Sequence, residues 1–143
     1  MARELVRALG FAVAIMGLDW GPGAAAAREA GVQLVERRDH AGYLALLAGS
    51  QVVVGQSAGI LAASELEALA IGVPLVMAAQ HALYGAAPPP VLDDGGDVVA
   101  GVVAALADPA AFAAAQQGPA WVRAHHSAAD QVDRLLEIYS GLI

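Results

Sequence analysis

Apolar positions along the chain fall into short continuous runs, and stretches with helical spacing separate them. Phe11–Met16, Val32–Glu36, Gln51–Val54 and Leu75–Ala79 are the strand-length runs. Continuous rather than alternating hydrophobicity is what a parallel strand covered on both faces requires. Ala2–Leu9 reads as a helix, with Leu5 and Leu9 one turn apart, Glu4 in the first turn and Gly10 as its stop. Ala24–Ala30 is a second, stopped by Gly31, and a third runs from an Asp39 cap to Leu47, ending near Gly49. Strands alternating with helices predict an α/β domain with a parallel sheet and right-handed crossovers.

The stretch from Gly55 to Pro74, GQSAGILAASELEALAIGVP, organises the rest. It lies between the third and fourth apolar runs and reads as a small-residue loop followed by a helix. Ser64 is placed to cap that helix, with Glu67 three residues on as its capping-box partner. Leu66, Leu69 and Ala70 supply the helical spacing, and Gly72 and Pro74 end it. A loop leaving the C-terminal end of a strand and entering a helix is where open α/β sheets bind ligands. The unpaired N–H groups of that helix terminus suit an anion.

Beyond the fourth run, Pro88, Pro89 and Pro90 exclude a central strand, although Val91-Leu92 suits a short edge strand. Asp93–Asp97 is a polar turn. Val98–Leu106 reads as a helix capped by Asp97, and Asp108-Pro109 opens another that runs up to Gly118. Trp121–His126 leads to Ser127, which caps Ala128–Ser140 with Asp130 in the capping-box position. Val132, Leu135, Leu136, Tyr139 and Leu142 share one face of that last helix.

Composition narrows the function classes. The 143 residues make one domain, 58% hydrophobic, with a mean hydropathy of +0.58. The apolar pieces are strand-length and broken by Gly, Ser, Gln or Pro, so no membrane span is expected, and with no leader pattern a cytoplasmic protein is. Cysteine is absent, which excludes disulfides and thiolate chemistry. Net charge is −7 and all seven basic residues are Arg, scattered along the chain, which argues against a nucleic-acid partner. His125 and His126 are adjacent and cannot face one metal, and no other set of residues has ligand spacing. Neither a G-x-S-x-G elbow nor a first-strand G-x-G-x-x-G is present.

SELEALAIGVPLV, preceded by an apolar strand and a small-residue loop, resembles the nucleotide-sugar-binding segment of family 4 glycosyltransferases. Two further stretches share the likeness. GLDWGPG at 17–23 is similar to the turn after the second strand of their C-terminal domain, and LADPAAF…GPAWVRAHHSAADQVDRLLEIYSGL to their closing helices. The likeness runs from about Phe11 to Leu142. It implies a Rossmann-like, doubly wound parallel sheet, equivalent to the C-terminal half of a GT-B fold, spanning 1–143 with closing helices over 98–143. It also implies a nucleoside-diphosphate sugar as donor substrate, with no other cofactor and no metal.

On that resemblance Glu67 holds the ribose, and main-chain amides of Ala62, Ala63 and Ser64 hold the diphosphate. Gly55, Gln56, Ser57 and Gly59 shape the sugar pocket, and Arg38 and His40 lie on the ligand side. Arg37 or Arg38 can reach a phosphate, or can simply form solvated pairs with Glu36 and Asp39. Trp20 either lines the cleft or packs on the surface. Gly59 stands where many members carry a glutamate facing the sugar, so Glu65 or Gln56 would have to substitute.

Family members open this domain with a strand and a G-R-x-x-x-K-G turn that this sequence lacks. There is no Lys at all. The expectation is therefore a domain truncated at its N-terminus, without its acceptor-binding half unless a partner chain supplies it. Its unpaired edges and partly bare last helix would favour self-association, and it would be inactive alone. A sugar-nucleotide epimerase of the same architecture, with its D-S-G-G-x-x-E-E-like run, fits Gln56-Ser57-Ala58-Gly59 only in part. A non-catalytic nucleotide-binding or assembly module is the other alternative.

Overall fold

The computed structural model describes residues 2–10, 14–18 and 23–141. Among these, the elements follow the expected alternation. They begin with α1 (Ala2–Leu9), β1 (Met16–Leu18), α2 (Ala24–Glu29), β2 (Gln33–Val35), α3 (His40–Ala48) and β3 (Val53–Val54). Then come α4 (Ala63–Ile71), β4 (Leu75–Val76), β5 (Ala78–Ala79), a 3-10 turn at His81–Tyr84 and β6 (Leu92–Asp93). Four helices close the chain: α5 (Val98–Ala107), α6 (Pro109–Gln116), α7 (Gly118–His126) and α8 (Ala128–Ser140). Phe11–Val13, the start of the first expected strand, lie outside the described residues, and the strand that is described begins only at Met16.

The fold is α/β, and every strand pairing is parallel. Among the described residues β1 pairs with β2, β3 with β4, and β5 with β6, as three separate two-stranded ladders. The single expected strand Leu75–Ala79 is divided at Met77 into β4 and β5. The Met77 carbonyl accepts from the Leu92 N–H at 3.1 Å, so this run meets β3 along its first half and β6 along its second. Pairing is brief throughout, and side chains supply bonds that longer ladders would make. Gln116, at the end of α6, is the clearest case. Its Oε1 accepts from the Leu75 N–H at 3.0 Å, and its Nε2 donates to the carbonyls of Leu75 and Pro90, both at 2.7 Å.

Apolar side chains pack on both sides of the β3–β4 ladder. Leu75, Met77 and Ala79 meet Leu47 of α3 and Ala68 and Leu69 of α4, with Trp121 of α7 against them. Val76 points the other way, to Leu5 of α1 and Val102 and Ala105 of α5. That alternation follows from the pleat of a strand covered on both faces. Helix ends obey local chemistry. Asp39, Asp97, Asp108 and Ser127 cap α3, α5, α6 and α8 through their side chains, and Gly72 ends α4 in the left-handed conformation. On α8 the apolar face is uncovered: Val132, Leu135, Leu136 and Tyr139 are all exposed, while Leu142 lies outside the described residues. No single helix among the described residues is long and apolar enough to cross a membrane.

Because Gln116 satisfies three main-chain groups at once, Gln116→Ala should lower stability by about 2 kcal/mol or more, through partly buried groups left unpaired. Gln116→Glu should cost at least as much, since it would set a carboxylate oxygen against two carbonyls. Urea unfolding of both variants checks this, and wild-type stability in either would show that the bridge contributes nothing.

Candidate functional site at the carboxyl ends of the strands

Glu65 holds the loop between β3 and α4. Its side chain is 5% exposed, the only buried charged group among the described residues. Oε1 accepts from the Gln56 N–H at 3.0 Å, and Oε2 accepts from the Ala62 N–H at 3.1 Å and from the Ser64 hydroxyl at 2.9 Å. The expected cap is therefore displaced by two residues. Helix α4 begins at Ala63 with Ala62 as N-cap, and the return bond from the third helical residue comes from Glu65, not Glu67. Ala62 carries no side-chain acceptor, so only that half of a capping box exists here. Ser64 lies inside the helix and gives its hydroxyl to Glu65.

Gly55 leaves β3 where no Cβ fits. One built there would lie 2.8 Å from Met77 Sδ, 2.9 Å from Met77 Cβ and 3.1 Å from Glu65 Cγ. Gly59 has φ +77°, and its carbonyl accepts from the Gln80 N–H at 2.8 Å. A Cβ there would sit 3.1 Å from Gln80 Nε2. Glycine at 59 is thus demanded twice, by conformation and by close approach. Gln56 folds over the same loop and donates Nε2–H to the Ile60 carbonyl at 3.1 Å. Tyr84 fixes the loop's far end by accepting at its hydroxyl from the Leu61 N–H at 2.7 Å.

These contacts leave a cavity of about 160 Å³ where the loops after β3, β5 and β6 converge. Gln56, Ser57 and Gly59 form one wall, and Gln80 and Asp94 face them. Among the described residues Asp94 is the one ionisable group of this lining. Beside it, Asp93 Oδ1 accepts from the N–H groups of Asp94, at 2.8 Å, and His81, at 3.1 Å. These main-chain bonds hold the Asp93 carboxyl below its usual range, with the nearby His81 contributing in the same sense.

The remaining expected residues assemble apart from this cavity. His40 Nε2 lies 2.7 Å from Glu67 Oε1, joining the start of α3 to α4. Tyr43, one turn into α3, is raised above its usual phenol range by burial and then by the Glu67 charge. Its hydrogen bond to Ser64 opposes that shift. Arg38 does not join them. Its stem lies against Gly42 in the first turn of α3, and it forms no ion pair among the described residues. The start of α3 thus meets the second turn of α4, and residues 37–40 do not line the cavity that the loop after β3 forms. Asp19, Trp20, Gly21 and Pro22 of the loop after β1 lie outside the described residues.

Two sequence-based expectations need correction. Glu65 does not stand as a sugar-facing glutamate, because its carboxylate is buried and already accepts from the Gln56 and Ala62 amides and the Ser64 hydroxyl. Ala62 does not offer a free amide, because that N–H already serves Glu65. Ala63 and Ser64 retain theirs on the first turn of α4. Gln80 and Asp94 were not foreseen as lining residues. Their only signal was position, since each closely follows a short strand at its carboxyl end.

Comparison with family models, with curated proteins and with solved structures finds no match. No group of His, Cys, Asp or Glu among the described residues can hold a metal ion.

Two stability measurements separate the glutamates. Glu65→Ala strands two amides and a hydroxyl and should cost about 2–4 kcal/mol, whereas Glu67→Gln, at a partly exposed position, should stay within about 0.5 kcal/mol. Equal losses in thermal unfolding would mean that the cap lies at Ser64 after all. Asp93 makes a pH prediction. Its folded-state pKa is depressed, so its contribution is complete above the usual carboxylate range and is lost as pH falls through the lowered value. The amide resonances of His81 and Asp94 should move together in that acidic window, and Asp93→Asn should abolish the movement.

Proposed function

We propose that this chain is the donor-binding half of a nucleotide-sugar-dependent glycosyltransferase, a Rossmann-like domain that takes a nucleoside-diphosphate sugar for transfer to an acceptor. The supporting observation is the convergence of the loops after β3, β5 and β6 on one cavity, whose wall at Gln56 is tied to the first turn of α4 through Glu65. Ligands of open α/β sheets collect at the carboxyl ends of strands, where helix termini favour phosphate. In this reading Gln56, Ser57 and Gln80 supply donors and acceptors for sugar hydroxyls, and Gly59 lets the loop close on Gln80. Asp94 accepts from a hydroxyl and disfavours an acidic sugar, since no cation lines the cavity.

The amides of Ala63 and Ser64 meet the diphosphate. Glu67, steadied by His40 through one oxygen, accepts from the ribose hydroxyls with the other. Chemistry at such a site is mainly positioning, together with stabilisation of the departing diphosphate by helix-terminal amides. The acceptor half, on this reading, comes from another domain or partner chain.

Calorimetric titration with uridine, guanosine and adenosine diphosphates, free and sugar-linked, tests the proposal. One of them should bind, and Glu67→Gln should weaken it about 10-fold or more, because hydrogen bonds to a charged group are involved. Should every nucleotide fail to bind the folded chain, the reading falls. Unchanged affinity in the variant would remove Glu67 from the site.

A further inference from the structure

Between the β1–β2 ladder and the β3–β4 ladder lies a cavity of about 610 Å³, and its two side walls are strand edges. The direction of the main-chain groups follows from the bonds already made. The Ile15 carbonyl accepts from the Gln33 N–H, so Ile15 and Gly17 face β2, and by alternation Met16 and Leu18 face the cavity. The Val53 and Gly55 N–H groups donate to the Pro74 and Val76 carbonyls, so Val52 and Val54 face the cavity from the other side. None of these four outward-facing residues has a main-chain ladder partner on that side among the described residues.

Floor and roof are aliphatic: Leu5 and Val102 from α1 and α5, and Leu46 and Leu47 from α3. Both flanking strands run the same way. β2, parallel to β1, leads into α3, whose first residue, His40, meets Glu67 in the second turn of the helix that follows β3.

We infer that this slot receives one extended aliphatic strand from a partner polypeptide, lying parallel to β1 and β3 and completing both ladders. The reading is independent of the nucleotide proposal. Charge selects the occupant first. Among the described residues no Arg lines the slot, and the one carboxylate, Glu65, already accepts three hydrogen bonds, so neither an acidic nor a basic segment finds a counter-charge there. Main-chain demand selects it next. An acyl chain could fill the volume but would leave the N–H and C=O groups of two edges unpaired, whereas a strand satisfies both. Cover on both faces requires side chains that are apolar in both directions along the strand, as in a buried parallel strand. A second copy offers no such segment among the described residues, since its own aliphatic runs are already paired in ladders or wound into helices.

The test adds to the full chain a synthetic end-capped peptide of about seven residues, rich in Val and Ile with a terminal Lys pair for solubility. Amide hydrogen exchange is then followed by NMR. Exchange at Val52 and Val54 should slow about tenfold or more, the worth of one hydrogen bond each, with less change at Val53 and Gly55. A peptide with proline at its centre should protect less. No slowing at Val52 and Val54, or equal protection by the proline peptide, would overturn the inference. Protection that rises with protein concentration alone would replace the partner by a second copy. Displacement of the peptide by dodecanoate, with exchange at those amides left fast, would make the slot an acyl pocket.

Discussion

One buried carboxylate sets the geometry on which the candidate site depends. Glu65 sits almost wholly out of solvent, where an ionised group is costly unless its hydrogen-bonding capacity is met. Here it is met by the Gln56 and Ala62 amides and the Ser64 hydroxyl, two of them main-chain groups of the loop that leaves β3. The loop therefore has no freedom to close elsewhere: both its start and its entry into α4 are tied to one side chain. Everything that lines the smaller cavity along residues 56–59 inherits its position from that attachment. The absence of a Cβ at Gly55 is part of the same arrangement, since the stem of Glu65 and the side chain of Met77 occupy that space.

The same economy governs the strands. Ladders of two or three rungs cannot by themselves satisfy the groups they bury, so side chains from distant parts of the chain complete them. Gln116 joins Leu75 to Pro90, and the Tyr84 hydroxyl takes the Leu61 amide. Each such bond couples the short strands to helices formed far along the chain. The end of α6 is thus part of what holds β4, and the 3-10 turn part of what holds the loop after β3, although neither touches the cavity directly.

These long-range bonds mark the boundary of what the sequence makes legible. Helix caps depend on residues three apart, so Asp39, Asp97 and Ser127 are readable directly, as is the stop at Gly72. The cap of α4 is ambiguous by the same rule, because Ser64–Glu67 and Ala62–Glu65 have equal spacing. Local preference favours serine over alanine at the cap. Burial of Glu65 against the loop decides otherwise, and no local signal records that burial. The strand Leu75–Ala79 is legible as an apolar run, but its division at Met77 follows from a change of partner that periodicity does not carry. Residues 56, 57 and 59 were legible as cavity wall through their place after a strand. Gln80 and Asp94 enter only once β5 and β6 are paired.

The separation of the cavity from the His40–Glu67 pair has an electrostatic consequence for any anionic ligand. A phosphate at the start of α4 would meet the Ala63 and Ser64 amides and the positive end of the helix dipole, but Glu65 lies immediately behind them and has no ion-pair partner among the described residues. Arg38 is folded along α3, and His40 is already in contact with Glu67. Attraction would then come from oriented amides rather than from ion pairs, which is a short-range and weakly salt-dependent form of recognition. Affinity gained in this way requires the loop to be rigid before the ligand arrives, because no mobile cation can follow a misplaced phosphate. The inward-turned Glu65 carboxylate provides that rigidity, and in doing so gives up any direct part in binding.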